Sequence, residues 1–190
     1  MTDQTAPRRL PRGATAESDG IVIGRGPVRV DAFIDFLCPF CQRFELSSRP
    51  GLTRLAVDGQ ISLVYHPMNF LDGASTTNYS TRAAAASGCA ADQGLFAEYA
   101  HALFVNQPPE GGPGLSDDEL ARIGETAGLA GPAFATCLAD APYLDWPPYV
   151  TLRATALGVE ATPTVLVGGK SVRPEAGPIA AAVAEAAGER

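Results

Sequence analysis

The sequence predicts an α/β protein in which a small sheet domain is split by an all-helical insertion. Three observations carry that prediction. Val28 to Phe70 spell strand, helix, strand at the spacing of a βαβ unit, so a parallel pair with a right-handed crossover is expected. From about Ser75 to Leu157 almost every periodic signal is helical. Strand character then returns at Thr162–Val172, and an Ala-rich helix closes the chain.

Residues 1–19 are polar, carry Pro and Gly, and show no periodicity, so a disordered N-terminal tail is expected. IVIG (Ile21–Gly24) and VRVDAFIDF (Val28–Phe36) read as strands, separated by Gly and Pro. The second is mostly apolar and β-branched or aromatic, as a buried central strand should be. A helical pattern through Phe44, Leu52, Leu55 and Ala56 runs from Cys41 to about Val57, with a kink or an interruption expected at Pro50-Gly51. ISLVYHPMNF (Ile61–Phe70) is the next strand.

The insertion begins with an Ala-rich helix to Ala91, followed by LFAEYAHALF (Leu95–Phe104) and the Pro/Gly loop QPPEGGPG (Gln107–Gly114). Ser116 with Glu119 stands in capping-box register at the start of a further helix. Two more helices are read through Ala133–Leu138 and Tyr149–Leu157. TPTVLVGGKSV is a hairpin turning at Gly168-Gly169, and the last helix runs from Pro178 to Ala187. The expected division is therefore 20–73 with 159–190 as the sheet domain, and 74–158 as the helical insertion.

Composition narrows the class. The 190 residues are 46% hydrophobic and 18% charged, with mean hydropathy near zero, enough for one well-cored domain carrying a sizeable insertion. The net charge is −7 and no basic patch or Arg-rich run occurs, so neither nucleic acid nor an acidic membrane is expected as a partner. No apolar run approaches the roughly 18 residues of a membrane-spanning helix. The first 20 residues lack the apolar core of a signal peptide. A cytoplasmic location follows if the chain is complete as given, and an extracytoplasmic one if an export signal or anchor lies outside it. Nothing argues for a dimer interface, so a monomer is the default.

There are four cysteines: Cys38, Cys41, Cys89 and Cys137. Cys38 and Cys41 lie in FLCPFCQRFE, where a hydrophobic strand gives way to a helix. A Cys-x-x-Cys opening a helix places the first sulfur beside unpaired backbone N–H groups and the positive end of the helix dipole. Both favour thiolate, making Cys38 the nucleophile and the better leaving group. Pro39 suits the first turn, where its missing N–H is not needed. Cys41, one turn in, is expected to lie deeper and to resolve a mixed disulfide. A zinc site is the structural alternative, but zinc takes four ligands and no second close Cys or His pair is present. A permanently closed 38–41 bridge would stabilise little, because its loop is so short.

FLCPFCQRFE resembles the active-site segment of the DsbA-like thiol–disulfide oxidoreductases, a family with a thioredoxin fold and a helical insertion. YHPMNF (Tyr65–Phe70) is similar to the strand after the active-site helix there, and GVEATPTVLVGGK (Gly158–Lys170) to the segment around a cis-proline. The likeness covers roughly residues 20 to 187 in order. It implies that Thr162-Pro163 is a cis bond lying against the active cysteines and that the backbone of Thr162 pairs with bound peptide. The alternative is that Pro163 merely begins an edge strand. The resemblance further implies substrates that are thiol- or disulfide-containing proteins, an unidentified redox partner that recycles the cysteines, and no cofactor, since the electrons travel in the cysteine pair.

Departures from the family pattern are instructive. Strong oxidants of the family carry His between the cysteines, which can donate to the thiolate; Phe40 cannot. The buried acid found six residues before the first cysteine is Ala32 here. Glu45 or Asp35 is the candidate for proton transfer in its place; a solvated charge and a turn-capping Asp are the respective alternatives. The Lys that partners the counterpart of Glu45 in some relatives is Val64, so any shift of Glu45 is expected upward. Cys38 is expected between the roughly 3.5 of DsbA and the roughly 7 of thioredoxin, with a potential between about −120 and −270 mV.

Relatives with cysteines at the places of Cys89 and Cys137 bridge them, which implies a structural disulfide stapling the insertion. Two buried free thiols in a reducing compartment are the alternative. His66 is expected to line the substrate groove with Phe40, Thr162 and Pro163, or else to be a satisfied core or surface His; His101 reads as helix surface. Phe33, Phe36, Phe40 and Tyr65 are candidates for an apolar rim around the thiols or for the core. The functional expectation is a thiol–disulfide oxidoreductase acting on proteins. Its rivals are a DsbA-fold reductase or isomerase for a small thiol, and a non-catalytic module that binds peptide or metal.

Overall fold

A computed structural model of the chain describes residues 6–129 and 131–188. Five strands form one sheet: β1 (Ile21–Ile23), β2 (Val28–Ile34), β3 (Ile61–Pro67), β4 (Thr164–Val167) and β5 (Lys170–Val172), in the order β1-β3-β2-β4-β5. β2 and β3 are parallel, joined through helix α1 (Pro39–Val57); the remaining pairs are antiparallel. β2 is central and buried at every position but Arg29; five of its seven residues are apolar, and the buried Asp31 is paired with Arg29 and His66. Ala32 pairs with Tyr65 on one side and Val165 on the other. β4 is flanked by β2 and β5, so Pro163 precedes an internal strand, not an edge.

Between β3 and β4 lie a single helical turn, Asp72–Ala74, and five helices: α2 (Tyr79–Asp92), α3 (Phe96–Val105), α4 (Asp117–Thr126), α5 (Pro132–Asp140) and α6 (Trp146–Ala156). Helix α7 (Ala176–Gly188) follows the hairpin. α1 packs on β3, α3 and α7, so the helix that carries the cysteines touches both the sheet and the insertion. The capping box at the start of α4 is formed in full by Ser116 and Glu119. The β4–β5 turn places Gly168 and Gly169 at φ +56° and +81°, the left-handed values a tight hairpin turn needs and only glycine adopts without strain. No helix among the described residues is long and apolar enough to cross a membrane.

Three expectations are corrected. α1 begins at Pro39, not Cys41, and runs through Pro50 without a break. Proline removes the N–H that would bond the carbonyl of Leu46, and Leu46 lies on an exposed face where water reaches that carbonyl. β2 stops at Ile34 because Asp35 turns the chain, its carbonyl accepting from the Cys38 N–H at 3.1 Å. The third concerns residues 6–19, which are a packed strap; residues 1–5 lie outside the described residues. Arg12 N–H donates to Asp92, Trp146 donates to the Ser18 carbonyl, Ala14 bridges Ile21, and Thr15 and Asp19 are buried. The bonds to Asp92 and Trp146 reach helices far away in sequence, so no local periodicity announces them.

Candidate active site

The turn Asp35–Cys38 delivers the chain from the central strand to the start of α1. Cys38 is the N-cap residue, extended at φ −73° and ψ 118°, and Pro39 occupies the first helical position. Both cysteines are free thiols, Cys38 almost and Cys41 wholly buried. The Cys38 thiol donates to the carbonyl of Thr162 at 3.2 Å. The Thr162–Pro163 bond is cis, which sets that carbonyl against the thiol.

The two sulfurs are differentiated by what surrounds them. The Cys41 thiol donates to the Cys38 sulfur, and the Thr162 hydroxyl and the N–H groups of Cys41 and Phe40 add to it. Together they outweigh burial and bring Cys38 down from 9.0 to about 6. That value falls inside the range expected from the sequence. Burial pushes Cys41 the other way, well above an ordinary thiol, and the charge on Cys38 reinforces it. The Asp35 N–H donates to the Cys41 sulfur at 3.4 Å. Ionisation is thus favoured at Cys38, where it gives up the proton shared with the Thr162 carbonyl, and opposed at Cys41.

A groove of about 510 Å³ opens beside Cys38, lined by Phe40, Arg43, Phe44, Thr162, Pro163 and Glu175 among others. Phe40 is 62% exposed, with the Arg43 guanidinium 4.7 Å above its ring. Of the residues expected to bind substrate, Phe40, Thr162 and Pro163 are brought together here. His66 is not. It is fully buried, its Nε2 2.9 Å from Asp31 and its Nδ1 2.6 Å from the Asp19 carbonyl, with its ring stacked on Phe33. It is a satisfied core histidine that ties the N-terminal strap to the sheet. Phe33, Phe36 and Tyr65 are likewise core, so Phe40 alone of that group offers an exposed aromatic face.

Neither candidate acid has its carboxylate hydrogen-bonded to a sulfur. Glu45 is 2% exposed on α1, one turn beyond Cys41. It accepts from the Tyr65 hydroxyl at 3.1 Å, with Arg49 Nε at 3.4 Å and His101 Nδ1 at 3.5 Å. Burial lifts it from 4.5 to about 7, against the lowering effect of Tyr65 and Arg49. Asp35 is fully buried and accepts from Leu37 N–H, Leu71 N–H and the Ser80 hydroxyl. Burial raises it from 3.8 to about 6 despite those three donors. His101 is 35% exposed on α3 yet reaches Glu45, closer to the site than a surface reading allows.

Sequence reasoning missed Gln107, whose amide donates to the carbonyls of Phe36 and Cys38 at 2.9 and 3.0 Å, and Gln42, which donates to the Phe104 carbonyl at 2.7 Å. Both join the active turn to the insertion, and no motif signals them. Cys89 and Cys137, by contrast, are joined as a disulfide between α2 and α5, 48 residues apart. Among the described residues no group of three His, Cys, Asp or Glu side chains is placed to hold a metal ion.

Residues 17–181 match the family model described as Thioredoxin. Among solved structures, the reduced disulfide bond oxidoreductase DsbG of Mycobacterium tuberculosis is 30% identical with a TM-score of 0.78, over 91% of this chain and 89% of that one. Reduced DsbA of the same organism is 29% identical with a TM-score of 0.71, over 88% and 99%. A curated relative, the serine/threonine-protein kinase PknE of M. tuberculosis, is 38% identical over 130 residues. That stretch is 64% of this chain but only 23% of the kinase, so the likeness spans less than a quarter of PknE. With its sheet, helical insertion and paired cysteines at the head of α1, the chain belongs to the thioredoxin family, among the DsbA- and DsbG-type thiol–disulfide oxidoreductases.

Proposed function

We propose that this chain exchanges disulfides with protein substrates through a mixed disulfide on Cys38. The observation that carries the reading is the split between the sulfurs: Cys38 is brought down to about 6 beside an open groove, while Cys41 is buried and stays protonated. In the oxidising direction, a substrate thiolate attacks Cys38 in the 38–41 disulfide. The S–S bond breaks, and Cys41 leaves and takes a proton. A second substrate thiolate then attacks the substrate sulfur of the mixed disulfide and Cys38 leaves as the stabilised thiolate. Two electrons pass from the substrate pair to the cysteine pair, which a separate redox partner must reoxidise. In the reducing direction Cys38 attacks and Cys41 resolves. A low value at Cys38 makes it a good leaving group and favours oxidation of protein thiols.

Glu45 is the proton acceptor for Cys41 in this reading. It shares the buried face of α1 with Cys41 at an i,i+4 spacing, and at about 7 it can take and return a proton near neutrality. Phe40, Thr162 and Pro163 seat the substrate, with the backbone of Thr162 pairing with the peptide. The Cys89–Cys137 disulfide is structural.

The test is trapping. Cys41→Ser, first converted by glutathione disulfide to a Cys38–glutathione mixed disulfide and then given reduced, unfolded protein, should release glutathione and accumulate a protein adduct that peptide mass mapping places on Cys38; Cys38→Ser should form none. An adduct of glutathione alone, with no protein captured, would transfer the activity to small thiols. No adduct of either kind on Cys38, with the protein's function unchanged in Cys38→Ser, would leave only a binding module.

A further inference from the structure

Asp35 holds the turn that presents Cys38 from two directions. Through its backbone it touches both cysteines, its N–H donating to the Cys41 sulfur and its carbonyl accepting from the Cys38 N–H. Through its side chain it reaches beyond the turn. Oδ1 accepts from the Leu37 N–H at 2.8 Å and from the Ser80 hydroxyl of α2 at 2.7 Å. Oδ2 accepts from the Leu71 N–H, on the loop after β3, at 2.9 Å. Opposite it, Gln107 of the insertion binds the carbonyls of Phe36 and Cys38. The side-chain bonds that hold this turn from outside thus come from the helical insertion and the loop leading into it.

We propose that Asp35 is a positioning residue for the exchange reaction, through which the helical insertion sets how readily the turn accommodates a negative sulfur on Cys38; the inference rests on the exchange mechanism above. The carboxylate is too fully occupied by its three donors to carry protons for Cys41, so its role is electrostatic. Two negative groups held close in a dry turn oppose each other, and the charge of Cys38 contributes to lifting Asp35, after burial. The other titratable groups facing Asp35 are Cys41 on α1 and Tyr79 on α2, both kept neutral by burial. Asp72, on the adjoining loop, turns its carboxylate to Asn69 and Thr81, and Arg82 turns to Asp117. Ser80 and the two N–H groups favour the charged carboxylate. The insertion therefore holds in place a charge that disfavours the Cys38 thiolate, and with it the reduced form.

Wild type, Asp35→Asn and Ser80→Ala are compared in two measurements: ultraviolet titration of the Cys38 thiolate, and equilibration of the 38–41 pair with glutathione buffers near pH 7. Asparagine removes the charge but must turn its NH2 towards one of three donors. Ser80→Ala withdraws one donor and leaves the backbone bonds intact. For Asp35→Asn the thiolate should form at lower pH, and the equilibrium should shift towards the reduced protein by about three- to tenfold. Tenfold corresponds to about 30 mV. Ser80→Ala should shift both readouts the same way by about two- to threefold, because a carboxylate with one donor fewer is charged less of the time. Folded variants that stay within about twofold of wild type, well below the tenfold that one pKa unit represents, or that shift the opposite way, overturn the inference. Asp35 would then be a cap visible only in unfolding experiments. Should Asp35→Asn fail to fold, Ser80→Ala decides alone. A wild-type pair that does not equilibrate with glutathione at all overturns the exchange mechanism itself, and the positioning role with it.

Discussion

The thiol of Cys38 donates a hydrogen bond to the backbone carbonyl of Thr162, 124 residues further along the chain. That contact joins the two parts of the sheet domain that the insertion separates. It also sets that sulfur against Thr162, which lines the groove together with Phe40 and Pro163. In the proposed exchange, the reacting sulfur and the seat of the peptide meet at this one junction.

The exchange rate should follow ionisation of Cys38. With its value brought from 9.0 to about 6, the rate with a disulfide probe should rise through pH 6 and level off above it. A midpoint near 9 would mean an unactivated thiol. The same shift affects stability. A group whose folded value is depressed contributes fully above its unfolded value, and that contribution is lost as pH falls through the folded one. The reduced protein should therefore gain stability relative to the oxidised protein as pH rises from about 6 to about 9, measured by urea unfolding of the two forms.

Glu45 has the opposite sign. Its folded value of about 7 lies above the ordinary 4.5, so its contribution is complete below 4.5 and is lost as pH rises through 7. Glu45→Gln, whose amide oxygen can still accept from the Tyr65 hydroxyl, should be more stable than wild type at pH 8 by about 2–3 kcal/mol. The gain should vanish near pH 4.5. If Glu45 serves Cys41, resolution of the mixed disulfide in this variant should also slow, by about a hundredfold at most. Stopped-flow kinetics on a preformed mixed disulfide measures that step directly.

Opening the Cys89–Cys137 bridge should loosen the insertion without disabling the site. The double Ser variant should lose up to about 4 kcal/mol in urea unfolding, because 48 residues of loop are released in the unfolded chain. Its 38–41 pair should exchange with glutathione as wild type does. A loss of exchange in a folded variant would mean that the staple also shapes the active turn.

Phe40 should matter to peptides and not to folding. Phe40→Ala removes a ring that is 62% exposed and held beneath Arg43, so stability should change by less than about 0.5 kcal/mol. KM for a cysteine peptide should rise about three- to tenfold through lost apolar contact. The rate with a small symmetrical disulfide should be unchanged, which separates seating from chemistry.

The elements that were legible share a property: their signals are local. Apolar runs gave the strands, Ser116 with Glu119 gave the start of α4, and Gly168-Gly169 gave the hairpin turn. Pro50 misled because its rule concerns the lost N–H, while α1 tolerates the loss where Leu46 faces water. The strap of residues 6–19 misled because its order comes from bonds to Asp92, Asp145 and Trp146, which no local pattern encodes. His66 misled because a histidine beside a strand end looks the same whether it faces a groove or, as here, Asp31 and Asp19.

By itself the sequence determined the chemistry available at the head of α1. Two thiols at that spacing, with proline in the first turn, place Cys38 at the N-cap position of a helix and Cys41 one turn in. It also determined the order of sheet, insertion and sheet, because hydrophobic period is a property of neighbouring residues. What only the tertiary structure decided is the setting of those thiols. Thr162 against Cys38, Ser80 and Leu71 on Asp35, Gln107 on the turn, and Tyr65 and His101 around Glu45 are meetings of residues far apart in the chain. Burial and charge act through space, so the ionisation of each group was fixed only when the chain had closed around it.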